Sequence, residues 1–225
     1  MNPEQPLVVR WLGRMNYTDA LAYQERLVAA KHADASVPDE LLLLEHEPVF
    51  TIGRTPDRSS LGAAESLPHP LVTIGRGGQA TYHGPGQLVG YPILDLTRRG
   101  RDLHRYLRML EDFLVALCGT FGVAATRREG MTGTWVVDRK IASIGVGVRR
   151  WISMHGFALN VSGDLSPFQQ ITPCGIAGVA MTSLAVERGA QIEVAAVAEA
   201  VTEQFPRFDR LLLESAAETP GPVHP

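Results

Sequence analysis

Two side chains in this sequence, Cys174 and Lys140, could together carry out nucleophilic chemistry. Cys174 lies in an irregular stretch, where Pro173 stiffens the approach and Gly175 leaves the sulfur unshielded. A free thiol has a pKa of ~8.5, and a nearby amine makes it nucleophilic by favouring the thiolate or by taking its proton. Lys140 is a candidate for that amine. The alternative is a hairpin-tip lysine in solvent, which composition alone favours.

A second candidate site is the stretch Arg76–Leu96, RGGQATYHGPGQLVGYPILDL. Its glycines allow positive φ and close approach of another molecule, and polar side chains stand between them. We call residues 76–83 the floor segment, because this pattern is typical of a surface on which a ligand lies. An ordinary pair of hairpin turns is the alternative, since GG and PG are turn dipeptides. The polar or permissive residues of the floor segment are Arg76, Gly77, Gly78, Gln79, Ala80, Thr81, Tyr82 and His83.

Mostly strands surround these candidates, with helices near the start, middle and end of the chain. Strands are predicted at 7–11, 41–44, 49–54, 71–74, 88–96, 134–137, 141–148 and 152–161, and helices at 17–28, 103–118 and 192–205. Residues 55–70 read as a surface loop. This order predicts an α+β domain with a mixed or antiparallel sheet and helices on one side. We expect a single domain over residues 1–213 and a loose tail over 214–225.

For Cys118, His46 and a run of arginines, the sequence offers a structural interpretation. Cys118 falls on the apolar face of the helix that Asp102 can cap, so it is expected to be core. His46 is expected at the end of a strand. A metal site is not expected there, because the zinc-protease pattern needs two histidines one helical turn apart. A run of arginines around the same helix is either a solvated face or a basic patch for an acidic protein partner. Its members are Arg98, Arg99, Arg101, Arg105 and Arg108.

The composition excludes several classes of protein. The net charge is −3, which gives no argument for nucleic acid or membrane as a partner. No apolar run approaches the ~20 residues of a membrane span, and the N-terminus lacks a secretion signal. Two cysteines are too few for a disulfide framework or a zinc site, so a reduced cytoplasmic setting and no metal are expected. The sequence contains no dinucleotide-binding, P-loop or serine-hydrolase motif, and no cofactor is expected.

Four ordered motifs resemble the lipoyl(octanoyl) transferase family. They are RGGQATYHGPGQLVGYPILDL, GTWV followed by RKIASIGV, HGFALNV, and ITPCGI. The similarity runs from the VFTIGR segment to the MTSL segment. The resemblance implies the fold of biotin and lipoate protein ligase catalytic domains. It also implies transfer of an octanoyl group from acyl carrier protein to a lysine of a lipoyl domain, in 2-oxoacid dehydrogenases or the glycine-cleavage H protein.

The resemblance also assigns roles to residues. Cys174 matches the acyl-thioester nucleophile, and Lys140 matches the lysine that lowers the thiol pKa. The floor segment matches the substrate-binding residues, joined by Ser143, Ile144 and Gly145 and by Gly156, Phe157 and Ala158.

The chemistry agrees with these roles, because thioester exchange is nearly balanced and amide formation runs downhill without ATP. Each step builds an oxyanion, for which amides around Gly175 or the Gly77–Gly78 turn are candidate donors. The side chains of Ile144, Val146, Phe157 and Leu159 could wall the eight-carbon chain, and His83 could orient the acceptor or hold the loop. An ATP-dependent lipoate or biotin ligase and a non-catalytic carrier-binding module are the alternatives.

Overall fold

The computed structural model describes residues 7–54, 57–61, 67–172 and 178–218. Within these ranges the strands are β1 (Val8–Met15), β2 (Glu40–His46), β3 (Val49–Ile52), β4 (Leu71–Thr73), β5 (Thr81–His83), β6 (Gln87–Ile93), β7 (Thr126–Arg128), β8 (Met131–Val136), β9 (Arg139–Arg149) and β10 (Ile152–Asn160). The helices are α1 (Tyr17–Ala33), α2 (Leu103–Thr120), α3 (Leu184–Arg188) and α4 (Val194–Glu218). Short 3-10 turns occupy Ser59–Leu61, Leu96–Arg99 and Ser166–Gln170.

The strands form one large and one small sheet. The large sheet has seven strands in the order β1-β2-β6-β10-β9-β8-β7. Only its edge pair β1 and β2 is parallel, and the other neighbours are antiparallel. The small sheet has the order β4-β3-β5, with one parallel and one antiparallel pair. The predicted α+β fold with a mixed sheet is confirmed.

Helices cover both faces of the large sheet, so the prediction that they lie on one side is wrong. The reason is visible in β2, whose leucines are all buried. Leu41 and Leu43 pack into the core beneath α2 and α4, whereas Leu42 and Leu44 pack into the core beneath α1. A strand buried on both faces reads as a continuous apolar run, and the run alone does not say where the helices lie.

The helix starts follow the capping residues in the sequence. The Asn16 side chain accepts a hydrogen bond from the backbone N–H of Asp19 at 2.9 Å, and α1 begins at the next residue. Asp102 accepts from the N–H of Arg105 at 3.0 Å and opens α2. Each cap satisfies a backbone donor that has no partner within the helix. These two predicted starts are confirmed.

The C-terminal helix is longer than the sequence pattern indicates. The helix α4 continues through Glu218, and Leu212 within it is still buried in the core. The Ser215 hydroxyl also donates to the backbone carbonyl of Leu211 at 2.7 Å. Residues 219–225 lie outside the described ranges. None of the helices described is both long and apolar enough to cross a membrane.

One arginine of the predicted basic patch is buried and does not contribute to a surface. Arg99 is only 2% exposed, and its guanidinium binds the carboxylates of Asp39 and Asp209. Arg108 pairs with the buried Glu111 on the same helix, with 2.6 Å between the charged atoms. Arg99 is therefore a core residue that joins elements, and the hypothesis of one continuous basic face does not extend to it.

Candidate active site

A cavity of about 500 Å³ lies where the floor segment meets β9 and β10, a size typical of small-molecule sites. Leu103 and Leu107 of α2 line it, and so does Tyr17 of α1, the helix on the opposite face of the large sheet. The cavity therefore has walls from both sides of the large sheet. The remaining lining residues are Arg76, Gly77, Gly78, Gln79, Thr81, His83, Val89, Tyr91, Gly130, Met131, Thr132, Lys140, Ser143, Ile144, Gly145, Val146, His155, Gly156, Phe157 and Ala158.

Glycines in the cavity wall let neighbouring groups approach closely. A Cβ on Gly156 would lie 2.3 Å from the backbone oxygen of Gly90, which is too close for any side chain. A Cβ on Gly145 would lie 2.8 Å from Cδ of Arg76. Gly78 has φ +92, a conformation that L side chains rarely adopt. The turn and the close strand packing behind the cavity therefore both require glycine.

The Arg76 side chain holds the floor segment in place. Its guanidinium is nearly buried and donates to the backbone oxygen of Gln79 at 3.0 Å and to that of Gly77 at 2.9 Å. It also donates to the Thr51 hydroxyl on β3 at 3.1 Å. The floor is thus tied to the small sheet through side-chain contacts as well as through its own backbone.

Lys140 is buried in the cavity wall. Its side chain is 1% exposed, and Nζ donates to the backbone oxygen of Thr132 at 2.9 Å. Nζ also lies 5.3 Å from the ring centroid of Trp135, within range of a cation–π contact. The interpretation of Lys140 as a solvent-exposed lysine is wrong, because β8 and the segment near residue 180 enclose it.

The segment that follows Cys174 in sequence is fastened to Lys140. The N–H of Lys140 donates to the oxygen of Ala180 at 2.8 Å, and the N–H of Thr182 donates back to the oxygen of Lys140 at 3.0 Å. These bonds form a short parallel bridge between Lys140 and Met181. Cys174 itself lies outside the described residues, which resume at Gly178.

Three buried histidines lie on or beside the polar part of the cavity. Burial and the nearby His46 lower the pKa of His83 to about 3. Burial lowers the pKa of His46 to about 4, and burial together with the positive charge of Arg76 lowers that of His155 to about 4. All three rings are therefore neutral at physiological pH. Burial also raises the pKa of Tyr17 to about 12, so this part of the wall is polar and, apart from Arg76, uncharged.

Most of the residues predicted to bind substrate meet in this cavity. Of the floor segment, only Ala80 and Tyr82 fail to line it. Both pack instead into the small core beneath the small sheet, where the Tyr82 ring lies 5.7 Å from that of Phe168. Leu159 points into the main core and is not a wall. The residues of β9 and β10 named from the resemblance all line the cavity.

Several lining residues do not stand out in the sequence. Tyr91 and His155 both lie inside quoted motifs, so their types were visible there. Their proximity was not visible, because the two rings meet across β6 and β10 with centroids 6.3 Å apart. In the sequence, Leu103 and Leu107 look like ordinary members of the apolar face of α2. One turn of that face lies over the cavity and the rest over the core.

Cys118 behaves as the sequence predicts. Its side chain is fully buried in the main core, and burial raises its thiol pKa to about 12. A thiol held protonated away from solvent is not a nucleophile. Among the described residues, no cluster of three or more metal-ligating side chains is found.

Residues 16–206 match the family described as the lipoyl protein ligase A/B catalytic domain. The octanoyltransferase of Geobacter metallireducens is 50% identical over 220 residues, covering 95% of this chain and all of that protein.

Two solved structures show the fold. A putative lipoate protein ligase from T. acidophilum superposes with a TM-score of 0.69 at 17% identity, covering 96% of this chain and 93% of the other. A biotin protein ligase from Aquifex aeolicus gives 0.55 at 13% identity, covering 92% and 71%. At these identities the likeness concerns the fold alone.

The chain belongs to the lipoyl protein ligase A/B catalytic domain family and, within it, to the octanoyltransferases, which are acyltransferases.

Proposed function

We propose that this chain transfers an octanoyl group from octanoyl-acyl carrier protein to a specific lysine of lipoyl domains, through a thioester on Cys174. The acceptors are the lipoyl domains of 2-oxoacid dehydrogenases and the glycine-cleavage H protein. The observation that carries the proposal is the buried Lys140, whose side chain lines the cavity while its backbone binds the segment leading from Cys174.

In the first half-reaction, the Cys174 sulfur attacks the carbonyl carbon of the donor thioester. The thiol proton passes to the Lys140 amine or to the leaving thiolate of the carrier, and the bond to the carrier sulfur breaks. One thioester replaces another, so no energy source is consumed. Burial of Lys140 supports this role, because the attraction between an ammonium and a thiolate is stronger where water is excluded.

In the second half-reaction, the amine of the acceptor lysine attacks the same carbonyl carbon. An amide forms, the bond to the Cys174 sulfur breaks, and the proton lost by the amine passes to the departing thiolate, which regenerates the thiol. Backbone N–H groups near Gly175 or at the Gly77–Gly78 turn are the proposed donors to the oxyanion formed in each step.

The apolar part of the cavity suits an aliphatic chain. Leu103, Leu107, Ile144, Val146 and Phe157 supply apolar surface around it. Each buried methylene contributes about 0.8 kcal/mol, so the depth of this surface can distinguish chain lengths. We propose that these side chains, rather than polar contacts, select eight carbons.

Intact-mass measurement after incubation with octanoyl-acyl carrier protein tests the proposal. We expect a mass increase of one octanoyl group that Cys174→Ser abolishes and Cys118→Ala retains, since Cys118 is core.

Lys140→Ala should slow the alkylation of Cys174 near neutral pH. Transfer that persists in Cys174→Ser and consumes ATP would instead indicate a ligase. The absence of any adduct and any transfer would indicate a carrier-binding module.

A further inference from the structure

A row of buried hydrogen bonds connects His83 in the cavity wall with the strand that carries Lys140. His83 Nδ1 lies 2.7 Å from Oε1 of Gln87, and Gln87 Nε2 lies 2.9 Å from Oδ1 of Asn160. Asn160 Nδ2 then lies 2.9 Å from the backbone oxygen of Thr182. The N–H of Thr182 in turn binds the oxygen of Lys140. Gln87 and Asn160 line no part of the cavity and take no part in the two half-reactions as proposed.

Two backbone carbonyls determine the direction of this row. The oxygen of Tyr82 lies 3.2 Å from the Gln87 amide, and a carbonyl oxygen can only accept. The end of the Gln87 amide that faces Tyr82 is therefore the N–H₂ group, and the oxygen faces His83. The oxygen of Thr182 likewise requires the N–H₂ group of Asn160, so the Asn160 oxygen faces Gln87.

The tautomer of His83 follows from that direction. Since Gln87 presents an oxygen, the Nδ1 of His83 must carry a hydrogen and donate it. A neutral imidazole has only one such hydrogen, so Nε2 bears a lone pair. The nearest described partner of Nε2 is the Thr51 hydroxyl at 3.4 Å, which is longer than a normal hydrogen bond to a hydroxyl. Because His83 lines the cavity and its Nε2 has only this long contact, a stronger donor from a ligand can compete for the lone pair.

We propose that Gln87 and Asn160 are positioning residues that hold His83 as the Nδ1–H tautomer, so that His83 Nε2 accepts a hydrogen bond from the amine of the acceptor lysine. This inference rests on the proposed function. The entering amine brings N–H groups to the reacting carbonyl, and its lone pair must point at the carbon. A neutral acceptor orients the amine, whereas a protonated imidazole has no lone pair to offer and would donate to the amine nitrogen, occupying the lone pair that must attack.

Nitrogen-15 NMR of the wild-type chain with labelled histidine tests the tautomer without any substitution. We expect the His83 signals, assigned by their loss in His83→Gln, to show a protonated Nδ1 and an unprotonated Nε2 at neutral pH. Gln87→Leu should redistribute the proton between the two nitrogens. A wild-type His83 protonated at Nε2 would overturn the inference.

Separate measurement of the two half-reactions tests the role. In Gln87→Leu and Asn160→Leu, we expect octanoyl-Cys174 to form within about twofold of the wild-type rate. Single-turnover transfer to a lipoyl domain should fall by about tenfold, the effect of one lost or misdirected hydrogen bond. Ser153→Ala is the matched control, because Ser153 is also buried on β10 and binds backbone groups of Pro92 and Leu94 outside this row. It should leave both rates unchanged.

The outcomes separate this inference from the proposed function. If the wild-type chain forms no Cys174 adduct, the proposed function fails. If wild type forms and transfers the adduct but Gln87→Leu transfers equally fast, only the role of the row fails. Slower adduct formation with normal transfer would indicate that His83 contacts the carrier arm instead of the amine, and would also overturn the inference.

Discussion

The buried ion pairs around Arg99 allow the effect of one substitution to be estimated. Nε and Nη2 of Arg99 each lie 2.7 Å from a carboxylate oxygen of Asp209 on α4. Nη1 lies 2.7 Å from Asp39, just before β2, and Lys31 of α1 binds the same carboxylate at 2.7 Å. One guanidinium therefore joins the C-terminal helix to the residue that precedes β2.

We expect Arg99→Met to lower the free energy of unfolding by about 3–5 kcal/mol, the usual cost of leaving a buried charge without its partner. For a chain of this length, that loss corresponds to a fall in Tm of roughly 6–20 °C. Arg98→Met is the control. Arg98 has a side chain 39% exposed and lies 3.8 Å from Asp39, so it should cost at most about 1 kcal/mol.

Urea unfolding followed by circular dichroism at pH 7 measures both variants. The reasoning is refuted if Arg99→Met loses no more stability than Arg98→Met does. The pH dependence gives a second check. Burial alone would raise the pKa of Asp39, but the charges of Arg99 and Lys31 outweigh it and the pKa is lowered. The associated stability is present above the unfolded pKa of ~3.9 and is lost as the pH falls through the folded pKa.

Two further predictions concern residues in or beside the cavity wall. Since burial lowers the pKa of His46 to about 4 from 6.5, the unfolded chain binds more protons between these values, and stability should fall as the pH drops below 6.5. Urea midpoints between pH 7 and 5 should fall by the equivalent of about 1–2 kcal/mol for this residue, and a slope unchanged in His46→Gln would contradict this. Gly156→Ala should unfold or strongly destabilise the chain, because its Cβ would meet the backbone oxygen of β6 at 2.3 Å. Gly119→Ala, with nothing within 4 Å, should stabilise α2 by about 0.5–1 kcal/mol, and thermal melts that rank these two variants the other way would refute the packing argument.

Local patterns in the sequence were sufficient for the type and approximate position of most elements. The apolar spacing of α2 and its cap at Asp102 predict that helix, and the leucine run at 41–44 predicts a buried strand. These signals are local, because a cap bonds to the next turn and periodicity describes one face. The placement of α1 on the second face of the sheet does not follow from such local signals, since a run buried on both sides does not say what covers each side.

Residues that could do chemistry were recognisable by type and motif, whereas their environments depended on contacts between distant segments. Lys140 looks solvent-exposed beside a predicted turn, yet β8 and the segment at 180–182 bury it. Arg99 looks like part of a surface patch, yet its partner lies 110 residues away. The sequence alone determined the strand and helix pattern and the candidate nucleophile and amine. Only the tertiary structure decided which side chains are buried together, and through that burial their charge, tautomer and access to a ligand.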